Sequence, residues 1–299
     1  MLKRLVVPTI TLAVFMFSSR MHAQTAQTNT PLPRPSIAVH VDGWAKPVPG
    51  PPKGETPGPA PKHDLSGIWE PTPRYRDGVF ATGPKEYPSD GKPEHNLPFT
   101  PDGEKEWKSH KPGFGTTAVP IAFNNDPFNI CDPLGFPRVE LFNLRAIQVF
   151  QTPKQVAIIY QNDQVWRNIW MDGRELPKEI DEPRWYGYSV GKWTDDTTFV
   201  VETVGLDPRT WIDNVGRPHS DELKVEETFH RVNHEIMELT LTIIDPKMYS
   251  KPWVALNKFT MRLQPDWFDI REMVCSASEA AEYNKTVSEA AARASQGKK

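Results

Sequence analysis

Cysteine, net charge and long apolar runs are all scarce in this sequence, and each scarcity excludes something. Two cysteines, Cys131 and Cys275, are too few for a disulfide-dense scaffold, and no His or Cys lies at ligand spacing beside either to make a zinc site. A formal net charge of -3 without any basic block offers nothing to nucleic acid or to anionic lipid. Past Phe17 no stretch is apolar enough to span a bilayer as a helix. Gly113-Phe-Gly115 is too short for a nucleotide-binding turn and lacks a strand–helix–strand setting. No cofactor and no metal are expected.

Proline, by contrast, is abundant: 31 residues, most of them before Glu140, so the first half of the chain is poor in regular structure. The apolar share of 38%, with 10 Trp and 14 Phe, is enough for a substantial core. Residues 1–23 read as a secretory signal. Lys3 and Arg4 form a basic start, and the apolar run that follows ends at Phe17, short for a membrane span. Cleavage is expected after Ala23, and an uncleaved anchor is the alternative. Residues 24–62, rich in Pro, Gly, Thr and Gln, read as an extended linker, with a patch near 37–41 that could add a short strand. Export favours a bond between Cys131 and Cys275 over two buried thiols.

Residues 63–275 form the expected domain. From Val139 onward, short β-branched or aromatic runs alternate with turns, which predicts strands over 146–150, 155–161, 165–171, 186–192, 198–204, 223–229, 236–244 and 253–263. That spacing, with no long helix between, predicts an all-β fold, an antiparallel meander closing as a barrel or sandwich. A short helix is expected over 103–109. Ser276-Ala-Ser-Glu279 is a capping box, and it opens a helix expected over 279–294 in the 276–299 tail.

The start of the domain, Gly67-Ile-Trp69, resembles the first strand of lipocalin-type barrels, where the Trp plugs one end. A wider motif set resembles a group of uncharacterised exported β-rich proteins of environmental bacteria. It comprises Leu65-Ser-Gly-Ile-Trp69, Cys131-Asp-Pro-Leu-Gly-Phe-Pro-Arg138, Asp172-Gly-Arg174 and Gly187-Tyr-Ser-Val-Gly-Lys-Trp193. Trp211-Ile-Asp213, Pro218-His-Ser220, Asp245-Pro-Lys-Met-Tyr249 and Pro252-Trp253 complete it. The resemblance implies export and a β-rich fold, and no activity.

Several patterns invite chemistry. Gly187-Tyr-Ser-Val-Gly191 matches the nucleophile-elbow signature, but that elbow needs a helix after the Ser, and here a turn leads into another strand. A strand with small residues packed under aromatics is the expected reading. His230 and His234 have the spacing of a helical metal pair, yet they bracket a β turn and no Glu follows His230. The loop between the strands at 198–204 and 223–229 carries Trp211, Asp213, Arg217, His219 and Ser220, and loops so crowded between strands often hold sites. His219 with Asp213 could move a proton, or His219 could simply bond backbone at a strand end. A Ser220-His219-Asp213 triad is not expected, because adjacent side chains on extended backbone point apart.

Alternation on the strand at 223–229 puts Glu227 with Leu223, Val225 and Phe229, facing inward. Arg167 is misplaced in the same way between Val165 and Ile169. A buried carboxylate needs a partner, so an Arg167–Glu227 pair is expected, with Arg138 as second choice and a bulge or register slip as the alternative. Three function classes fit. A barrel could bind a small, partly apolar molecule, aromatic ones included, between Trp170, Trp185, Tyr186 and Trp211, with Arg167 or Arg138 fixing a polar group. Arg174 and Tyr249, from the motif set, join these candidate contacts. The same cavity could instead run cofactor-free lyase, isomerase or hydrolase chemistry with His219, Glu227 and Asp213 as its acid–base groups. An envelope or matrix scaffold without a ligand is the third class.

Overall fold

The computed structural model describes residues 56–72, 82–141, 145–266 and 268–296. The signal, the patch near 37–41 and most of the linker lie outside them. At the linker's end, the Gly58 carbonyl accepts the His234 amide at 2.9 Å, and the His63 amide donates to Asp196 at 2.7 Å. This last stretch lies against the domain.

Nine strands close into one barrel among the described residues: β1 Gly67–Pro71, β2 Ile147–Thr152, β3 Gln155–Tyr160, β4 Trp166–Trp170, β5 Tyr188–Trp193, β6 Thr198–Val204, β7 Lys224–Arg231, β8 Ile236–Ile244 and β9 Trp253–Gln264. Each strand pairs with the next, and β9 returns to β1, with Trp69 opposite Leu263. β6 and β8 have the bounds expected from sequence, and the other expected spans shift by one or two residues at one or both ends. Strict alternation of buried and half-buried residues along β6, β7 and β8 sends one face to the interior. Burying a Val225 or Phe229 there stabilises by about 1.5–3 kcal/mol each. Trp69 is fully buried at the first strand, its Nε1 donating to the Leu65 carbonyl at 2.9 Å, with the Arg231 guanidinium over its ring at 4.7 Å.

One seam departs from the meander. β4 and β5 run parallel, paired only at Ile169–Ser189 and Trp170–Val190. A parallel neighbour needs a crossover, and residues 171–187 supply it. The Gly-x-Ser-x-Gly pattern runs into β5, with Gly187 just before the strand and Ser189 and Gly191 within it, as its sequence context implied. A Cβ on Gly187 would sit 2.7 Å from the Val204 carbonyl, and one on Gly191 would sit 2.3 Å from the Phe199 ring.

The described part of the proline-rich first half packs against the barrel strands' connections, the Thr100 amide donating to the Met248 carbonyl at 2.9 Å. Helix α1, Pro101–Ser109, opens on Thr100, whose side chain accepts the Gly103 amide, with Pro101 at the first turn. Trp107 Nε1 donates to the Val215 carbonyl at 3.2 Å, fastening α1 over the β6–β7 loop. A short α2, Arg138–Leu141, follows and is wholly buried. Cys131 and Cys275 are bonded, their Cα atoms 5.5 Å apart, tying this part of the chain to the C-terminal segment. The tail holds α3, Ala277–Tyr283, and α4, Glu289–Gln296, joined by a π turn where one continuous helix was expected. Among the described residues no helix is long and apolar enough to cross a membrane, and no group of three His, Cys, Asp or Glu is placed to hold a metal ion.

Candidate functional site

The inward charges meet inside the barrel. β4 buries Arg167 and Ile169 and exposes Trp166 and Asn168, while β7 buries Glu227 between Val225 and Phe229. Arg167 grips Glu227 at two points, Nη1 donating to Oε1 at 3.1 Å and Nη2 to Oε2. Its Nε donates to Ser189 Oγ at 3.2 Å, and Ser189 shares a hydrogen bond with Thr203, its cross-strand neighbour, at 2.8 Å. The Phe136 ring covers the guanidinium at 3.9 Å. The pair expected from alternation is therefore present, and it sits in a wider polar cluster.

Glu140 of α2 is the unforeseen member. Tyr160 donates to its Oε1 at 2.6 Å, while its Oε2 is buried and receives no hydrogen bond. Burial first, then the neighbouring Glu227 charge, push its pKa up to about 8 against the pull of Arg167 and Tyr160. Glu140 thus keeps its proton at neutral pH, and the 3.5 Å approach of Arg167 to its Oε1 is not an ion pair there. Burial alone would lower the pKa of Arg167, and Glu227, Tyr160 and Glu140 together more than reverse that. The cluster holds one cation and one anion and is electrically balanced. Two carboxyls this close cannot readily both ionise.

The parallel seam gives this cluster an outlet. Because β4 and β5 share only two residue pairs, the crossover leaves a cleft of about 780 Å³ with Arg167 and Ser189 at its floor. Three of the aromatic rings in its walls are each stacked by a guanidinium: Arg174 on Trp170 at 3.7 Å, Arg184 on Tyr188 at 4.0 Å and Arg209 on Trp185 at 4.3 Å. Asp172 holds Arg174 at 2.6 Å, and Asp207 holds Arg209 at 2.6 Å. The Arg209 guanidinium, before burial's opposite effect, holds the Asp207 carboxyl below its usual range. A flat partly apolar molecule has both stacking faces and hydrogen-bond donors here.

Five of the candidate ligand contacts, Arg167, Trp170, Arg174, Trp185 and Tyr186, line this one cleft. The other three lie elsewhere. Arg138 forms a two-point ion pair with Asp126 at 2.7 and 2.5 Å rather than reaching Glu227. Trp211 lies in a second cleft of about 760 Å³, stacked on His110 at 4.6 Å. Tyr249 is buried, its hydroxyl donating to the Pro218 carbonyl at 2.8 Å.

The β6–β7 loop, crowded with reactive types, is a buried plug. Every residue from Thr210 to Ser220 is buried. His219 Nδ1 bonds the Ser220 carbonyl at 3.1 Å and Nε2 meets Thr210 Oγ1 at 2.8 Å, so both ring nitrogens are engaged. Burial pushes its pKa down, favouring the neutral ring. Asp213 accepts from Arg217 at 3.1 Å, and Ser220 Oγ donates to Asp245 at 2.8 Å. Among the described residues neither the Asp213 carboxylate nor the Ser220 hydroxyl bonds the His219 ring, and no hydrogen bond joins His219 to Glu227. The structure does not bring His219, Asp213 and Glu227 together.

Glu140, Tyr160, Arg184 and Arg209 were missed by the sequence reading. Thr203 and Ser189 were legible as inward positions on alternating strands. Arg184 and Arg209 sit in irregular segments that carry no periodic signal. Comparison with family models, with curated proteins and with solved structures finds no match to this chain.

Proposed function

We propose that this protein is exported and binds a small, partly apolar molecule, aromatic ones included, in the cleft over the β4–β5 seam. The observation that carries the reading is the convergence of three guanidinium-stacked aromatic rings on one cleft floored by Arg167 and Ser189. Binding is preferred to acid–base turnover because the His219 nitrogens are taken up by Thr210 and Ser220, and Glu227 by Arg167. A scaffold would not need so open a cleft over its buried charges. The bonded cysteines, the basic and apolar N-terminus and the likeness to exported β-rich proteins of environmental bacteria support a periplasmic or secreted address.

The test is native mass spectrometry of the purified protein after incubation with cell and medium extracts. A retained adduct is expected for the wild type, and it should vanish in the double variant Trp170→Ala, Trp185→Ala. An absent adduct, or one retained equally by the folded double variant, would overturn the reading.

A further inference from the structure

Four guanidinium groups line the cleft, and three of them already hold a carboxylate: Arg167 holds Glu227, Arg174 holds Asp172 and Arg209 holds Asp207. The fourth, Arg184, has no carboxylate within ion-pair reach and donates from its side chain to no acceptor among the described residues. It is nevertheless well positioned. Its amide donates to the Gly205 carbonyl at 2.9 Å, and its carbonyl accepts from Asp207 at 3.0 Å and Gly187 at 3.1 Å. Its guanidinium lies on the Tyr188 ring, and Tyr188 is fixed in turn by donating to the Glu182 carbonyl at 3.0 Å. A stacked guanidinium keeps its in-plane N–H fork free, which suits a carboxylate taken at two points.

The neighbouring groups narrow the ligand further. The side chains of Arg174 and Arg209 retain 46% and 66% exposure while each guanidinium covers a Trp ring, so both stay within reach of an incoming molecule. Glu175 and Glu182 also line the cleft, and neither has a cation within ion-pair reach among the described residues. Their charges oppose a multiply charged ligand, so a singly charged one would be taken through a two-point contact with Arg184 rather than through the overall charge of the cleft.

We propose that the cleft takes a planar aromatic monocarboxylate, with its ring against Arg174 and Arg209 and its carboxylate on Arg184. This rests on the binding reading above and adds an anchor residue and a ligand class to it.

Isothermal titration of 2-naphthoate, neutral 2-naphthol and 2-naphthyl phosphate into the full chain tests it. Naphthoate should bind at least about ten-fold more tightly than naphthol, the gain of one charged two-point contact. Arg184→Gln should bring naphthoate down to the naphthol affinity and leave naphthol unchanged. Equal wild-type affinities for the two, or phosphate binding more tightly than carboxylate, would overturn the proposal and leave the cleft reading standing. If Arg184→Gln does not fold, Arg184→Lys keeps the charge without the fork. An undiminished naphthoate affinity in that variant overturns the anchor. Absence of binding by all three probes overturns the proposal, and the extract experiment reports separately on whether the cleft binds at all.

Discussion

Replacing Glu140 with Gln should change how stability depends on pH more than how stable the protein is at its best. Glu140 ionises at its ordinary value of 4.5 in the unfolded chain and at about 8 in the barrel. Between those values the folded state holds a proton that the unfolded state has lost, so stability falls as pH rises through this window. The shift, taken at RT ln 10 per pH unit, amounts to about 5 kcal/mol, fully present below pH 4.5 and gone above about 8. His110 and His219 work the other way. Burial lowers both, so they contribute stability that is complete above 6.5 and is lost below it, as pH falls through their lowered values in the folded protein. A comparison of two variants cancels that background. Gln mimics the protonated acid, since its carbonyl can accept from Tyr160 and its amide can donate toward Glu227. Denaturant midpoints measured across this range, with the disulfide intact, should decline with pH in the wild type relative to Glu140→Gln. The variant should be the more stable protein near pH 8 and above. Parallel curves for the two would refute the argument that Glu140 is a neutral acid in the folded state.

Glu227→Gln should do the opposite, destabilising by about 3–5 kcal/mol at neutral pH because it leaves the Arg167 charge buried without its counterion. Chemical denaturation would show it, and a loss below about 1 kcal/mol would mean that Glu140 ionises and takes over the role. Reduction, or Cys131→Ser with Cys275→Ser, opens a loop of 144 residues and should cost about 5 kcal/mol in the chain-entropy account. Thermal melts with and without reductant check this, and non-reduced peptide mapping should recover the 131–275 pair.

Alternation was enough to locate the strands and to turn Glu227 and Arg167 inward, because a period of two is a local property that survives any closure of the sheet. The capping pattern at Ser276 and the cysteine pair were legible for similar reasons: one is a local bond, the other a count set against a compartment. The sequence could not say that β4 and β5 meet in parallel, and so could not show the cleft. That depends on how the crossover at 171–187 returns to the sheet. Nor could it separate the polar residues of the β6–β7 loop from a site. Asp213, Arg217, His219 and Ser220 have the chemistry of one, but the α1 wrap covers them and their bonding capacity is spent on neighbouring side chains and backbone. Glu140 comes from the irregular half of the chain, where no period fixes a direction, and only the packing of α2 into the barrel brings it beside Glu227. Which inward charge carries a proton was therefore decided by contacts between segments far apart in the chain.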